Sequence, residues 1–276
     1  MIIWLASYPK SGNTWVRLFL NALFSSSDKF NINQNFIQQF PLRSNFLGLT
    51  DNINDQEKFA KYCLAAQQKI NLDNKIKIFK THNALWNWGG GKFSFTNENE
   101  TLGVIHIVRD PRNIVTSILN YFHKENYENA IEFMKKDRVL GGTDDEHGLP
   151  TIIGSWSSHF RSWKKFKKNN LLIRYEDLLK KNNEEFLKIT NFLNSTANFK
   201  FDENNISKAI ENCNFENLSK QEDNLGFIGN SDTNKKLNKK FFNLGPNNDW
   251  RKMLNKKYEQ EIVNIFETEM KEIGYL

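Results

Sequence analysis

Short apolar runs separated by amphipathic stretches set the rhythm of this chain. Ile2–Ser7, Ile76–Lys80, Gly103–Val108 and Leu171–Tyr175 are each a few residues long, bounded by polar segments, and read as buried strands. Around them the pattern predicts helices beginning near Thr14, Gln56, Pro111, Thr151, Asn183 and Lys256. The helix at Pro111 is the best signalled. Asp110 is a good N-cap, Pro111 suits the first helical position, and Ile114, Val115, Ile118, Leu119 and Phe122 form one apolar face. Strands alternating with helices predict an α/β fold, a central parallel sheet flanked by helices. Gly89–Thr101, Leu140–Pro150 and Gly226–Asp249 read as loops. The last is longer than a structureless connection usually is, so it is expected to be functional or disordered. No repeat and no composition shift marks a linker, so residues 1–276 are expected to form one domain.

Composition narrows the classes. Hydrophobic residues make up 39% of the chain, with 7 Trp and 23 Phe, which supplies a sizeable core and excludes a disordered protein. A net charge of +6 favours an anionic ligand or an acidic surface. The basic residues are dispersed rather than gathered into a tail, which argues against nucleic acid as the partner. Cys63 and Cys213 lie far apart without metal-ligand spacing, and read as free thiols in a reducing compartment. The stretch Met1–Ala6 is too short for a signal peptide, and no apolar run approaches the roughly 20 residues that span a bilayer. The expectation is a cytoplasmic protein with no transmembrane segment and no metal.

The stretch Tyr8-Pro9-Lys10-Ser11-Gly12-Asn13-Thr14-Trp15 follows the first strand and opens the first helix. Turn and helix N–H groups converge there, and the helix dipole adds partial positive charge, so the place suits an oxyanion. Lys10 adds a full charge, Ser11 and Thr14 add hydroxyls, and Gly12 allows a ligand close to the backbone. The plain alternative is an ordinary βα turn. A Walker A loop it is not, since Asn13 rather than Lys follows Gly12.

Ligands of open α/β sheets bind beyond the carboxyl ends of the strands. Those ends carry Lys10, then Lys80-Thr81-His82, then Arg109-Asp110-Pro111, then Arg174-Tyr175-Glu176-Asp177. Arg109 suits a second phosphate through its planar fork, with Ser117 two turns into the next helix; its structural alternative is an ion pair. His82 is the candidate general base, since a neutral imidazole takes a proton from a hydroxyl near neutral pH; its alternative is a hydrogen-bonded structural histidine. His106 reads as a core residue, His123 and His159 as helical, and His147 as part of a polar loop.

With these motifs in their order, the chain resembles the cytosolic-type sulfotransferases that use 3′-phosphoadenosine 5′-phosphosulfate (PAPS). Residues 8–15 look like that family's 5′-phosphosulfate loop, and Arg109-Asp110-Pro111-Arg112 to Ser117 like its 3′-phosphate motif. Lys80-Thr81-His82 matches the segment with the catalytic base, and Tyr175-Glu176-Asp177 and Asn248-Asp249-Trp250-Arg251 match further signatures. The resemblance implies transfer of a sulfonate to a hydroxyl or amine, with His82 as base and Lys10 and Lys80 stabilising charge on the departing phosphate. It also implies Ser11, Gly12, Asn13 and Thr14 around the phosphosulfate, Trp15 and Phe215 sandwiching the adenine, Tyr175 beside it, and Gly245 and Asn248 in the C-terminal cofactor segment. The product would be adenosine 3′,5′-bisphosphate (PAP), and no metal is required.

Three departures stand out. Asn13 replaces the usual Thr and keeps donor capacity. Asn243-Leu244-Gly245 stands where the family has Arg-Lys-Gly, so Lys239 or Lys240 is the candidate substitute; Asn248 stands where Gly is usual. The acceptor stays open between a small molecule, a lipid and a carbohydrate, and oligomeric state stays open as well. Trp86, Trp88, Phe93 and Phe95 either line its pocket or belong to the core. The competing readings are a catalytically dead relative, a P-loop nucleotide kinase, which would need Gly-Lys-Ser/Thr, and a basic nucleic-acid binder.

Overall fold

A computed structural model describes residues 1–25, 30–142, 148–230 and 232–276; His147 and part of the loop expected at 140–150 lie outside them. The chain begins β1 (Ile2–Ser7), α1 (Asn13–Phe24), β2 (Gln38–Gln39), α2 (Gln56–Asn71) and β3 (Lys77–Thr81). It continues β4 (Asn87–Trp88), β5 (Phe93–Ser94), β6 (Thr101–Val108), α3 (Pro111–Tyr121), α4 (Tyr127–Lys135), β7 (Val139–Leu140) and β8 (Thr151–Ile152). Then come α5 (Trp156–Lys164), β9 (Asn170–Arg174), α6 (Tyr175–Lys180), α7 (Asn182–Ala197), α8 (Glu203–Asn212) and α9 (Phe215–Leu225). The chain closes with α10 (Asp232–Lys236), α11 (Trp250–Met253) and α12 (Lys256–Ile273).

Five parallel strands form the central sheet in the order β2-β3-β1-β6-β9. All six residues of β1 are buried, because both faces of the sheet are covered. Ile3 and Leu5 pack against Val16 and Phe19 of α1 and Phe186 of α7. Ile2, Trp4 and Ala6 face the opposite cluster, with Phe40, Phe59, Phe95 and Trp163. Each of the larger of these side chains stabilises the fold by roughly 1.5–3 kcal/mol on burial. Phe95 and Trp86 belong to this second cluster, with Trp88 and Phe93 packed on it, so the aromatics after His82 are part of the core and none lines the cavity that holds His82.

The expected strands are all present. The last ends at Arg174, and Tyr175 opens α6 instead of closing β9. Residues 151–152 pair with 139–140 as an antiparallel ribbon, so no helix starts at Thr151. Gly154, at φ 65, turns the chain, and Ser155 caps α5 through the N–H of Ser158, so the helix begins at Trp156. His123 lies past the end of α3 with φ 49, outside a helix, whereas His106 and His159 are buried as expected of a strand and a helix.

Candidate active site

Beyond Ser7 the backbone turns through two left-handed residues, Lys10 at φ 67 and Gly12 at φ 101, closed by the Ser11 N–H on the Tyr8 carbonyl at 3.3 Å. Gly12 caps α1 with no side-chain hydrogen bond; the Trp15 N–H bonds the Gly12 carbonyl at 3.0 Å, which leaves the N–H groups of Asn13 and Thr14 uncapped beside the cavity. A Cβ at Gly12 would run into the Tyr175 ring. Glycine there accommodates α6, not only a ligand. Asn13 also departs from expectation: its Nδ2 donates to the Leu5 carbonyl and Ser7 Oγ, both at 3.1 Å. Its side-chain donor capacity is spent on β1, and the backbone N–H remains for an anion.

Lys10 Nζ sits 3.7 Å from the centroid of the Tyr121 ring and 4.9 Å from that of Phe241. Burial, with Arg109 and Lys80 nearby, pushes its pKa down to about 7. Lys80 Nζ donates to Gln39 Oε1 at 3.1 Å, and burial followed by the charge of Arg17 brings it to about 7 as well. Each lysine is therefore eager to gain an anionic neighbour, which would restore its charge.

His82 Nδ1 lies 2.8 Å from the Ser7 carbonyl oxygen, which can only accept. Nδ1 therefore carries the proton and Nε2 holds the free lone pair. Burial, then Lys80, holds the imidazole well below its ordinary pKa, so it is neutral across the physiological range. Ser7 Oγ, which receives Asn13, is 3.3 Å from the same nitrogen. One short network thus runs from α1 to the imidazole.

Arg109 donates through Nη1 to the Lys10 carbonyl at 3.0 Å and lies 4.0 Å over the Tyr175 ring. Its Nε is buried without a partner, and among the described residues it forms no ion pair. The ion pair belongs to its neighbours: Arg112 grips Asp110 at 2.7 Å, donates to the Tyr275 carbonyl and stacks 4.0 Å over Trp250.

The opposite wall is a strap, residues 226–249, holding α10 and a 3-10 turn at Gly245–Asn247. Glu222 of α9 accepts from the N–H of Phe241 at 2.7 Å and of Phe242 at 2.9 Å, and Asn33 accepts from the N–H of Ile228 at 2.8 Å and donates to the Gly226 carbonyl at 3.1 Å. Asn248 Nδ2 donates to the Asn113 carbonyl at 3.0 Å, tying its far end to α3. Gly245, at φ 49, presses on the Phe215 ring, where a Cβ would collide. Lys240 is paired with Asp223 at 2.5 Å, which leaves Lys239 as the less committed of the two lysines considered above.

Between the walls lies a cavity of about 780 Å³. The loop residues Lys10, Gly12, Asn13, Thr14 and Trp15 line it, as do Lys80, His82, Arg109 and Ser117 from the strand-end side. Tyr175, Phe215, Gly245 and Asn248 line it from the other. Ser11 stands just behind the wall, with its Oγ buried and unpartnered.

The fold is shared with known proteins. The family model described as "Sulfotransferase domain" matches residues 2–274. The chain belongs to the sulfotransferase family. Among curated relatives, amine sulfotransferase of Oryctolagus cuniculus is 21% identical over 277 residues, covering 98% of this chain and 81% of that protein. Cytosolic sulfotransferase 16 of Arabidopsis thaliana is 24% identical over 285 residues, covering 99% and 77%. The fold matches the crystal structure of a mouse sulfotransferase complexed with PAP, with TM-score 0.62 and 20% identity over 98% of this chain and 84% of that one. It also matches retinol dehydratase in complex with androsterone and PAP, with TM-score 0.58 and 19% identity over 98% and 80%.

Four residues of this sulfotransferase escape the motif reading yet shape the site. Tyr121 and Phe241 hold the Lys10 ammonium, Glu222 hangs the strap, and Arg17 points a guanidinium at the cavity. The Phe241-Phe242 doublet inside a polar segment, and the Arg at helical spacing from Asn13 and Asn21 along the otherwise apolar α1, are the sequence signals that would have found them.

Proposed function

We propose that the cavity takes PAPS and moves its sulfonate to a hydroxyl or amine of an acceptor. The observation that carries this reading is the presence of two anion-suited groups in one cavity: Arg109, whose Nε is unpartnered and whose Nη1 holds the Lys10 carbonyl, and Lys10 with the α1 N-terminus. Arg109 and Ser117 would hold the 3′-phosphate. Trp15, fixed by its Nε1–H bond to the Cys213 carbonyl at 2.8 Å, and Phe215, backed by Gly245, would border the adenine.

When bound, the donor supplies an electrophilic sulfur and a phosphate leaving group. His82 Nε2 would take the acceptor's proton as the acceptor's oxygen or nitrogen bonds to sulfur and the sulfur–oxygen bond to the phosphate breaks. Its partner bond to Ser7 fixes the ring for this task. Lys10 and Lys80 would stabilise the negative charge gathering on the departing phosphate, leaving PAP. Both are pre-placed in a buried site, where such charges act strongly.

Thermal denaturation with PAP, ATP and AMP tests this, because a ligand specific to the folded state raises stability by mass action. PAP is expected to raise the melting temperature most. A larger effect from ATP would sink the proposal in favour of a kinase-like site. PAP binding without transfer to any acceptor would leave the dead relative.

A further inference from the structure

Arg17 lies one helical turn beyond Asn13 on α1, so both side chains share one face of that helix. Arg17 lines the cavity, its Nε is buried without a partner, and it forms no hydrogen bond or ion pair among the described residues. Gly229 of the strap backs onto it: a Cβ there would come within 3.5 Å of the guanidinium. A buried guanidinium nitrogen without a partner is costly to keep, unless a ligand completes it.

The electrostatic setting sharpens the point. The described wall carries Lys10, Arg17, Lys80, Arg109, Lys239 and Lys240, and no Asp or Glu. Asn13, one turn before Arg17 on α1, bonds Ser7 Oγ, and Asn21, one turn after it, bonds the Gln34 carbonyl and the Ile37 N–H just ahead of β2. Arg17 therefore stands on the α1 face turned toward β2, whose Gln39 accepts from Lys80, and all three line the cavity. On the reading above, the donor occupies Arg109, Lys10 and Lys80, which leaves Arg17 and Gln39 on the β2 side of it.

We propose that the acceptor of this sulfotransferase carries an oxyanion group, a carboxylate or a phosphate monoester, beside the hydroxyl or amine that receives the sulfonate, and that Arg17 together with Gln39 receives that group. The planar fork of Arg17 suits two-point binding of such an anion. Arg17 then selects the substrate class while His82 and the lysines act on the transfer. This inference rests on the PAPS reading.

Calorimetry separates the two. The wild-type protein and Arg17→Gln are first titrated with PAP; comparable affinities are expected, within about twofold, since Arg17 is placed outside the donor site. No PAP binding by the wild type would overturn the PAPS reading itself. A tenfold loss in Arg17→Gln would assign the residue to the donor and overturn the inference alone.

PAP-saturated protein is then titrated with matched probes: 4-hydroxyphenylacetate against its amide, glucuronate against glucuronamide, and glucose 6-phosphate against glucose. In at least one pair the anion is expected to bind about 10-fold or more tighter, and that preference should vanish in Arg17→Gln. Arg17→Lys, which keeps the charge and loses the fork, should retain part of it and serves if Arg17→Gln fails to fold. Which pair responds distinguishes carboxylate from phosphate. Equal binding in every pair, preference for the neutral member, or an anion preference that survives both substitutions overturns the inference.

Discussion

The two walls of the cavity enclose one space by opposite means. The strand-end wall is the direct continuation of β1, β3 and β6, whose residues are paired on both sides and covered on both faces. The strap lines the cavity as well, but from outside the sheet: Phe227 and Phe242 seat it on the core, and side-chain hydrogen bonds of Glu222, Asn33 and Asn248 hold it. One wall is fixed by the ladder of the sheet, whereas the other depends on a few side chains, as expected for an element of lower local stability.

The sharpest break of this comparison is at the sheet. His82→Gln should lower kcat by about 10²–10⁴-fold while PAP affinity, read by calorimetry, stays within about twofold. Loss of PAP binding instead would make His82 structural. Arg109→Ala should weaken PAP by about 10–100-fold, with little change in melting temperature of the free protein, since the guanidinium has one hydrogen bond to lose. Glu222→Gln tests the other wall. It should weaken PAP about 5- to 20-fold and speed hydrogen exchange at the Phe241 and Phe242 amides, leaving the β1 amides protected. Equal exchange in both walls would erase the distinction.

Smaller effects should follow pH. Lys10 and Lys80 titrate near 7, so PAP affinity is expected to fall as pH rises from about 6.5 to 8.5, because the anion prefers the charged lysines. Stability should move the other way. His82, His106 and His159 all have folded pKa values below the ordinary one, His106 at about 3, and burial is the first cause in each. Below about pH 6.5 the unfolded chain binds protons that the folded one refuses, so stability falls with pH, by up to about 1.4 kcal/mol per unit for each histidine. A melting temperature that is flat between pH 7 and 5 would contradict this.

The same contrast explains what was legible. The four strands, the Lys10 loop, the Asp110 cap and the Arg109–Ser117 pair are local patterns, a few residues long, and each is where the sequence places it. Helices α4, α6, α8 and α9 went unread because their apolar faces are short and broken by Asn, Lys and Glu, and their burial is set by neighbours distant in sequence. The role of Asn13 was misplaced for a related reason. Its type tells that it can donate, but only the backbone of β1 tells where. Glu222 reads as one more surface acid until the strap folds back onto it.

One consequence reaches beyond the reaction. Lys10 holds a left-handed backbone, which disfavours a side chain by roughly 1–2 kcal/mol and which glycine adopts freely. Lys10→Gly would relieve that strain and, with it, the crowding of buried cations around Arg109 and Lys80. A library sorted for thermostability alone would therefore enrich a protein that melts later and has lost its central charge. In directed evolution of this chain, heat resistance and nucleotide retention must be selected together, because at position 10 they pull in opposite directions.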